Sequence, residues 1–141
     1  MTKIKTTLIL ILFCKVAISQ VNLVDKTVKC NYEFEWKQEL YSPKLVDSFF
    51  KSDTFTVKIS CIQNCGYEDG FHDYSLQNDT LFISNLLEKT ETDSLGNVYY
   101  YLISVEDCEC LFDFSYSFVG LDKNIKYEIV YNDSLIGSSE K

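Results

Sequence analysis

The sequence predicts an all-β, antiparallel fold, and three observations carry that prediction. Apolar residues recur with a period of two, not 3.6, over most of the chain. Turn-forming stretches rich in Asn, Asp and Gly separate the alternating runs. Ten tyrosines and ten phenylalanines supply the large side chains of a β-sandwich core and its cross-strand pairs.

The first twenty residues stand apart from this pattern. Lys3 and Lys5 make a basic start, Leu8 to Cys14 is an unbroken apolar run, and Ala17 and Ser19 put small residues before Gln20. That order is the plan of a secretory signal peptide over residues 1–19. The apolar run is too short to span a bilayer, and Lys15 interrupts it. Cys14 could carry lipid, but bulky Phe13 precedes it where a lipoprotein signal wants a small residue, so cleavage before Gln20 is expected. Residues 20–141 then form a single domain.

Strands follow in order. Val28, Cys30, Tyr32, Phe34 and Trp36 alternate with polar residues and predict a strand over 27–36. The stretch from Lys37 to Ser52 holds Pro43 and reads as a helical turn or an irregular crossover. Phe55, Val57, Ile59 and Cys61 predict a strand over 54–61, followed by a loop to Gly70. Short strands over 71–76 and 80–84 flank the turn Gln77-Asn78-Asp79. Residues 88–97 read as a loop. Val98 to Val105 is apolar on both faces and predicts a central strand. Cys110, Phe112, Phe114, Tyr116 and Phe118 predict a strand over 110–118, and Tyr127, Ile129 and Tyr131 one over 126–131. A strand stub near 135 and a disordered tail near 137–141 complete the chain.

This pattern fits a closed meander barrel or a sandwich, and one local feature selects the sandwich. Leu121 and Tyr127 are separated by a tight turn after the 110–118 strand. The segment FVGLDKNIKYEIVY resembles the end of immunoglobulin-like and fibronectin type III domains, where a Leu, a turn and a Tyr six residues later form a tyrosine corner. The resemblance covers about 20 residues, and Lys123 stands where those families usually place a proline. It implies an antiparallel immunoglobulin-like or fibronectin type III-like β-sandwich of about seven strands, in which 27–36, 54–61, 110–118 and 98–105 share one sheet. The overall texture also resembles small secreted proteins of bacterial envelopes that carry similar cysteine pairs.

Export makes disulfides the default state of the five cysteines after residue 19. Cys108 and Cys110 sit two apart on one strand face, about 6.6 Å between Cα atoms with parallel side chains, so each should pair elsewhere. If 54–61 and 110–118 are antiparallel neighbours, the end of one meets the start of the other. Cys61 and Cys65 then meet Cys108 and Cys110, and at least one bridge should join the pairs; a local Cys61–Cys65 bridge competes. Cys30 is expected to be unpaired. A zinc site would want C-x2-C twice, whereas the spacings here are C-x3-C and C-x-C, so no metal is expected.

Composition excludes several functions. The chain has thirteen lysines, no arginine and 21 acids, for a net charge of −8. Loss of a leader with three lysines and no acid makes the mature charge −11. Nucleic-acid binding needs clustered cations, and bidentate phosphate recognition needs arginine. His72, the only histidine, lies in EDGFHD, where Glu68 or Asp73 could pair with it as a general base or a ligand. The same run lacks the spacing of a calcium loop. No cofactor is expected. Asn78-Asp79-Thr80 and Asn132-Asp133-Ser134 match the glycosylation sequon at predicted turns. Tyr67, Tyr74 and Tyr99 to Tyr101 are expected in the core; exposed, they would form a binding surface.

Three functional readings follow. The first is a secreted, periplasmic or cell-surface binding or adhesion-type module, non-enzymatic, for a protein or glycan ligand. The second is a structural accessory domain of an envelope complex. The third is a small hydrolase built on His72 and a neighbouring carboxylate.

Overall fold

The computed structural model describes residues 20–105 and 107–139, so the leader and any lipid on Cys14 lie outside the described residues. Among the described residues the chain is all-β, with ten strands in three sheets and two short 3-10 turns. The first sheet is formed by β1 (Asn22–Asn31), β2 (Lys44–Lys51), β3 (Thr54–Asn64) and β8 (Glu109–Val119), in the order β1-β8-β3-β2, with every pair antiparallel. The second contains β4 (Phe71–Gln77), β5 (Thr80–Leu86), β9 (Glu128–Tyr131) and β10 (Ser134–Ser138), in the order β10-β9-β5-β4. The third is a two-stranded hairpin of β6 (Glu88–Thr92) and β7 (Val98–Leu102).

The period-two pattern places the core. On β3, Phe55, Val57, Ile59 and Cys61 all point inward and are buried; on β8, Cys110, Phe112, Phe114, Tyr116 and Phe118 do the same. Their polar neighbours Lys58, Asp113 and Ser115 line the outer face. Leu81, Ile83, Ile129 and Tyr131 of the second sheet close the core from the other side. Ring contacts bridge the sheets: Phe114–Tyr131 at 5.8 Å, Tyr74–Phe118 at 5.4 Å and Phe55–Tyr127 at 5.9 Å. Each fully buried large side chain contributes about 1.5–3 kcal/mol. Two four-stranded sheets therefore pack face to face around one core. No helix among the described residues is long and apolar enough to cross a membrane.

Several expectations are corrected. The first strand ends at Asn31, not at residue 36, because the Asn31 side chain accepts a hydrogen bond from the Glu33 N–H at 3.0 Å and turns the chain out of the sheet. The ambiguous 37–52 stretch contains β2, a hairpin partner of β3 closed by Ser52 in the left-handed region at φ 56°. β2 lies at the sheet edge beside β3, and β1, expected beside 54–61, pairs with β8 instead, so 98–105 has no place in this sheet. Residues 98–102 instead form β7, exposed along its whole length and paired with β6, where a loop was expected. β5 and β9 run parallel, a departure from the purely antiparallel expectation. The expected tail is ordered as far as Ser139: Gly137 and Ser138 lie in β10, and Ser139 is buried, exchanging hydrogen bonds of 2.8 Å with the Tyr127 backbone. Residues 140 and 141 lie outside the described residues.

Candidate functional site: an aromatic pole held by two disulfides

Both disulfides lie at one end of the sandwich. Cys30 of β1 bridges Cys110 of β8, with Cα atoms 5.7 Å apart. Cys65, in the 3-10 turn after β3, bridges Cys108 just before β8, with Cα atoms 5.6 Å apart. The second bridge joins the two expected cysteine pairs; the first corrects the expectation that Cys30 is unpaired. Strand register offers Cys110 a candidate on either side. β8 has a neighbour on each side, and Cys30 of β1 and Cys61 of β3 both lie opposite Phe112, two residues beyond Cys110. β1 supplies the partner for Cys110. Cys61, expected to bridge, is a free thiol fully buried in the core, and burial followed by the Asp113 charge pushes its pKa up to about 12. It acts as a small apolar group and forms no bond to Cys65.

Backbone pairing holds the same end. Cys65 N–H and Asn64 Nδ2 both donate to the Cys108 carbonyl, at 3.2 and 3.1 Å, while Asn64 Oδ1 accepts from Gly66 N–H. A Cβ on Gly66 would lie 2.4 Å from the Ser104 carbonyl oxygen, so the approach of the 103–108 segment requires glycine there.

Aromatic side chains gather on this frame without being buried. Beyond Asn31, Phe34 packs against Trp36 in a tilted pair with ring centroids 4.8 Å apart, and Trp36 lies 6.2 Å from Tyr41. Tyr41 donates its hydroxyl to Glu109 at 2.8 Å. Trp36 remains 58% exposed. Together with Asn64, Asp107, Cys108 and Glu109 it lines a hollow of about 380 Å³.

The β6–β7 hairpin leaves the same end. Asp93 shapes its turn, accepting from the backbone N–H groups of Leu95 and Asn97 and from Asn97 Nδ2, all within 2.9 Å. These bonds hold its carboxyl below the usual range. Tyr101 reaches back to Phe71 of β4, with ring centroids 6.2 Å apart. Val98, Tyr100 and Leu102 share the opposite face, and Tyr100 and Leu102 are 82% and 77% exposed. Tyr99 to Tyr101 are thus not core residues, while Tyr67 and Tyr74 are half-buried against the core.

His72 is arranged differently from the expected base. Its Nδ1 lies 2.9 Å from the Tyr116 hydroxyl, and its ring contacts Phe114 and Tyr116. Burial, then the nearby charge of Lys26, lowers its pKa to about 4, so the ring is neutral at pH 7. Nε2 is buried with no partner among the described residues. Asp73, the next residue on β4, is exposed on the opposite face and accepts from the Tyr74 N–H; Glu68 sits in the 3-10 turn. Neither carboxylate is hydrogen-bonded to the imidazole. Among the described residues no three His, Cys, Asp or Glu side chains gather to hold a metal ion.

The far pole carries the predicted corner residues. Leu121 and Tyr127 are buried, and the Tyr127 hydroxyl accepts a 2.8 Å hydrogen bond from the Asp122 N–H. Both sequon asparagines sit in turns at positive φ: Asn78 is exposed at this pole, whereas Asn132 lies at the disulfide end, where its side chain accepts from the Asn85 N–H.

Reading the sequence for core residues missed the exposed pole. The available signal was in the pattern: Val98 to Leu102 does not alternate, and Tyr32, Phe34 and Trp36 are interleaved with glutamates. Comparison with models of protein families, with curated proteins and with solved structures finds no match for the chain.

Proposed function

We propose that the chain is a secreted or cell-surface, non-enzymatic binding module with an immunoglobulin-like sandwich, which engages a protein partner through the disulfide-held aromatic pole. The observation that carries the reading is the β6–β7 hairpin, a two-stranded ribbon exposed on both faces with Tyr100 and Leu102 turned to solvent. An isolated two-stranded ribbon is marginal in water, and contiguous exposed apolar surface marks interaction sites. Here the ribbon is anchored at its root and displayed from a rigid end. Export is supported by the two disulfides and by the leader-like N-terminus. The immunoglobulin-like reading draws on the Leu121–Tyr127 corner. The hydrolase reading gains no support from the neutral, tyrosine-bonded His72.

Site-specific photo-crosslinking tests this reading in cells that make the protein. A crosslinking residue at position 100 should trap one defined partner, and the same residue at position 123, exposed on the far turn after Leu121, should not. Equal trapping at both positions, or none at position 100, overturns it.

A further inference from the structure

We infer that the hollow between Trp36, Asp107 and Glu109 receives an alkylammonium group, the side chain of a lysine on the partner docked at this pole. The inference rests on the binding-module reading and names the chemistry of its contact.

Four features of the hollow point to a cation. Its wall is an indole, the side chain with the strongest attraction for a cation over its face. Trp36 is not loose: Phe34 and Tyr41 support it at 4.8 and 6.2 Å, leaving 58% of the residue open. Its rim carries two exposed carboxylates, and Glu109 is oriented by the Tyr41 hydroxyl. No lysine among the described residues lines it, and the lysines of the flanking aromatic segments are paired, Lys37 with Glu35 and Lys89 with Glu91.

Charge and shape exclude other occupants. The aromatic segments 32–41 and 86–109 carry eight acids among their described residues against two lysines, so an anion is repelled. At about 380 Å³ the hollow is roomy enough for a butylammonium chain, and Cys108, fixed by its bridge to Cys65, forms part of its lining. A cation of this kind gains from ring and carboxylates together.

Trp36 is the only tryptophan, so its fluorescence reports on this hollow alone. The test titrates the mature protein with a capped heptapeptide of one lysine among serines and glycines, and with the same peptide carrying norleucine instead. The lysyl peptide should shift Trp36 emission with a dissociation constant on the order of millimolar, weakening as salt is raised. The norleucine peptide should not. Asp107→Asn/Glu109→Gln should weaken binding about tenfold, Asp107→Asn alone by less, and Asp79→Asn/Asp122→Asn, which removes the same charge at the far pole, should leave it unchanged.

Each opposite result overturns the inference. An equal response to norleucine denies the ammonium. An equal loss from the far-pole variant means general attraction to an acidic protein. Choline binding as tightly as the lysyl peptide assigns the hollow to a free quaternary amine. If crosslinking at position 100 succeeds while Trp36 ignores the lysyl peptide, the inference fails and the binding reading stands; the reverse result sinks the docking surface but leaves the hollow's chemistry intact.

Discussion

Two strands consecutive in the sequence, β7 and β8, use the same kind of side chain for opposite ends. β8 presents Phe112, Phe114, Tyr116 and Phe118 on one face, alternating with Asp113, Ser115 and Ser117, and every one of those rings is buried. β7 presents Val98, Tyr99, Tyr100, Tyr101 and Leu102 in succession, and every one is exposed. Alternation declares that a strand has one dry face and one wet face, which the molecule can satisfy by itself. An unbroken apolar run declares two dry faces, and in β7 the molecule supplies neither in full. The aromatic content of β8 is explained by folding; that of β7 is not.

The sharpest way to break the comparison is to truncate one ring in each strand. Phe114 is in ring contact with Phe112, Tyr116, Tyr131 and His72, so Phe114→Ala should cost about 3–5 kcal/mol. Tyr100→Ala should change stability by less than about 0.5 kcal/mol. Urea unfolding of both variants measures the contrast, and similar losses would dissolve it.

The frame beneath the exposed pole comes next in size. The Cys65–Cys108 bridge spans 43 residues, and loop-closure entropy gives it about 4 kcal/mol, within a usual range of about 2–5. Cys65→Ser/Cys108→Ser should lower the unfolding midpoint accordingly and loosen the hairpin root, which amide exchange at Ile103 would register, since its N–H bonds the Leu87 carbonyl.

His72 ties the core to pH. Its pKa is near 6.5 in the unfolded chain and about 4 in the native one. Between those values the unfolded chain binds a proton that the native state does not, so the contribution is complete above pH 6.5 and drains away as pH falls towards 4. Allowing for the solvent that reaches part of the ring, the loss should be about 1–2 kcal/mol. Carboxylates titrate over part of the same range. The comparison is therefore with His72→Phe, whose stability should fall less steeply between pH 6.5 and 5. A steeper fall would reverse the assigned shift.

The smallest effect belongs to the far pole. Tyr127→Phe removes the acceptor for the Asp122 N–H and should cost about 1 kcal/mol by thermal unfolding, with the hairpin unaffected.

Much of this was legible in the sequence wherever a residue's role is local. The β3 and β8 faces follow from period-two spacing, the β4–β5 turn from Asn78-Asp79, and the spacing of Leu121 and Tyr127 pointed to the turn they close. What escaped depends on three-dimensional neighbours. Cys110 pairs with Cys30 and not Cys61, a choice a linear sequence does not rank, since β8 lies between two strands that each place a cysteine opposite Phe112. β1 ends at Asn31 because of one side-chain hydrogen bond, which severs an alternation that runs on to Trp36. His72 is neutral because the sandwich buries its ring against Phe114 and Tyr116, more than 40 residues away in sequence, with the Lys26 charge nearby. The exposed face of β7 escaped for a different reason: its apolar run matches a buried strand in everything except the absence of a cover.

The most direct test combines folding and binding in one variant, Tyr100→Ser/Leu102→Ser, with crosslinking moved to the neighbouring exposed position 90, on the same hairpin face. The expected result is an unfolding midpoint unchanged within experimental error and loss of the partner trapped by the otherwise wild-type chain. A fall of many degrees would show that the β7 rings serve the fold as those of β8 do, and undiminished trapping would show that they serve no partner.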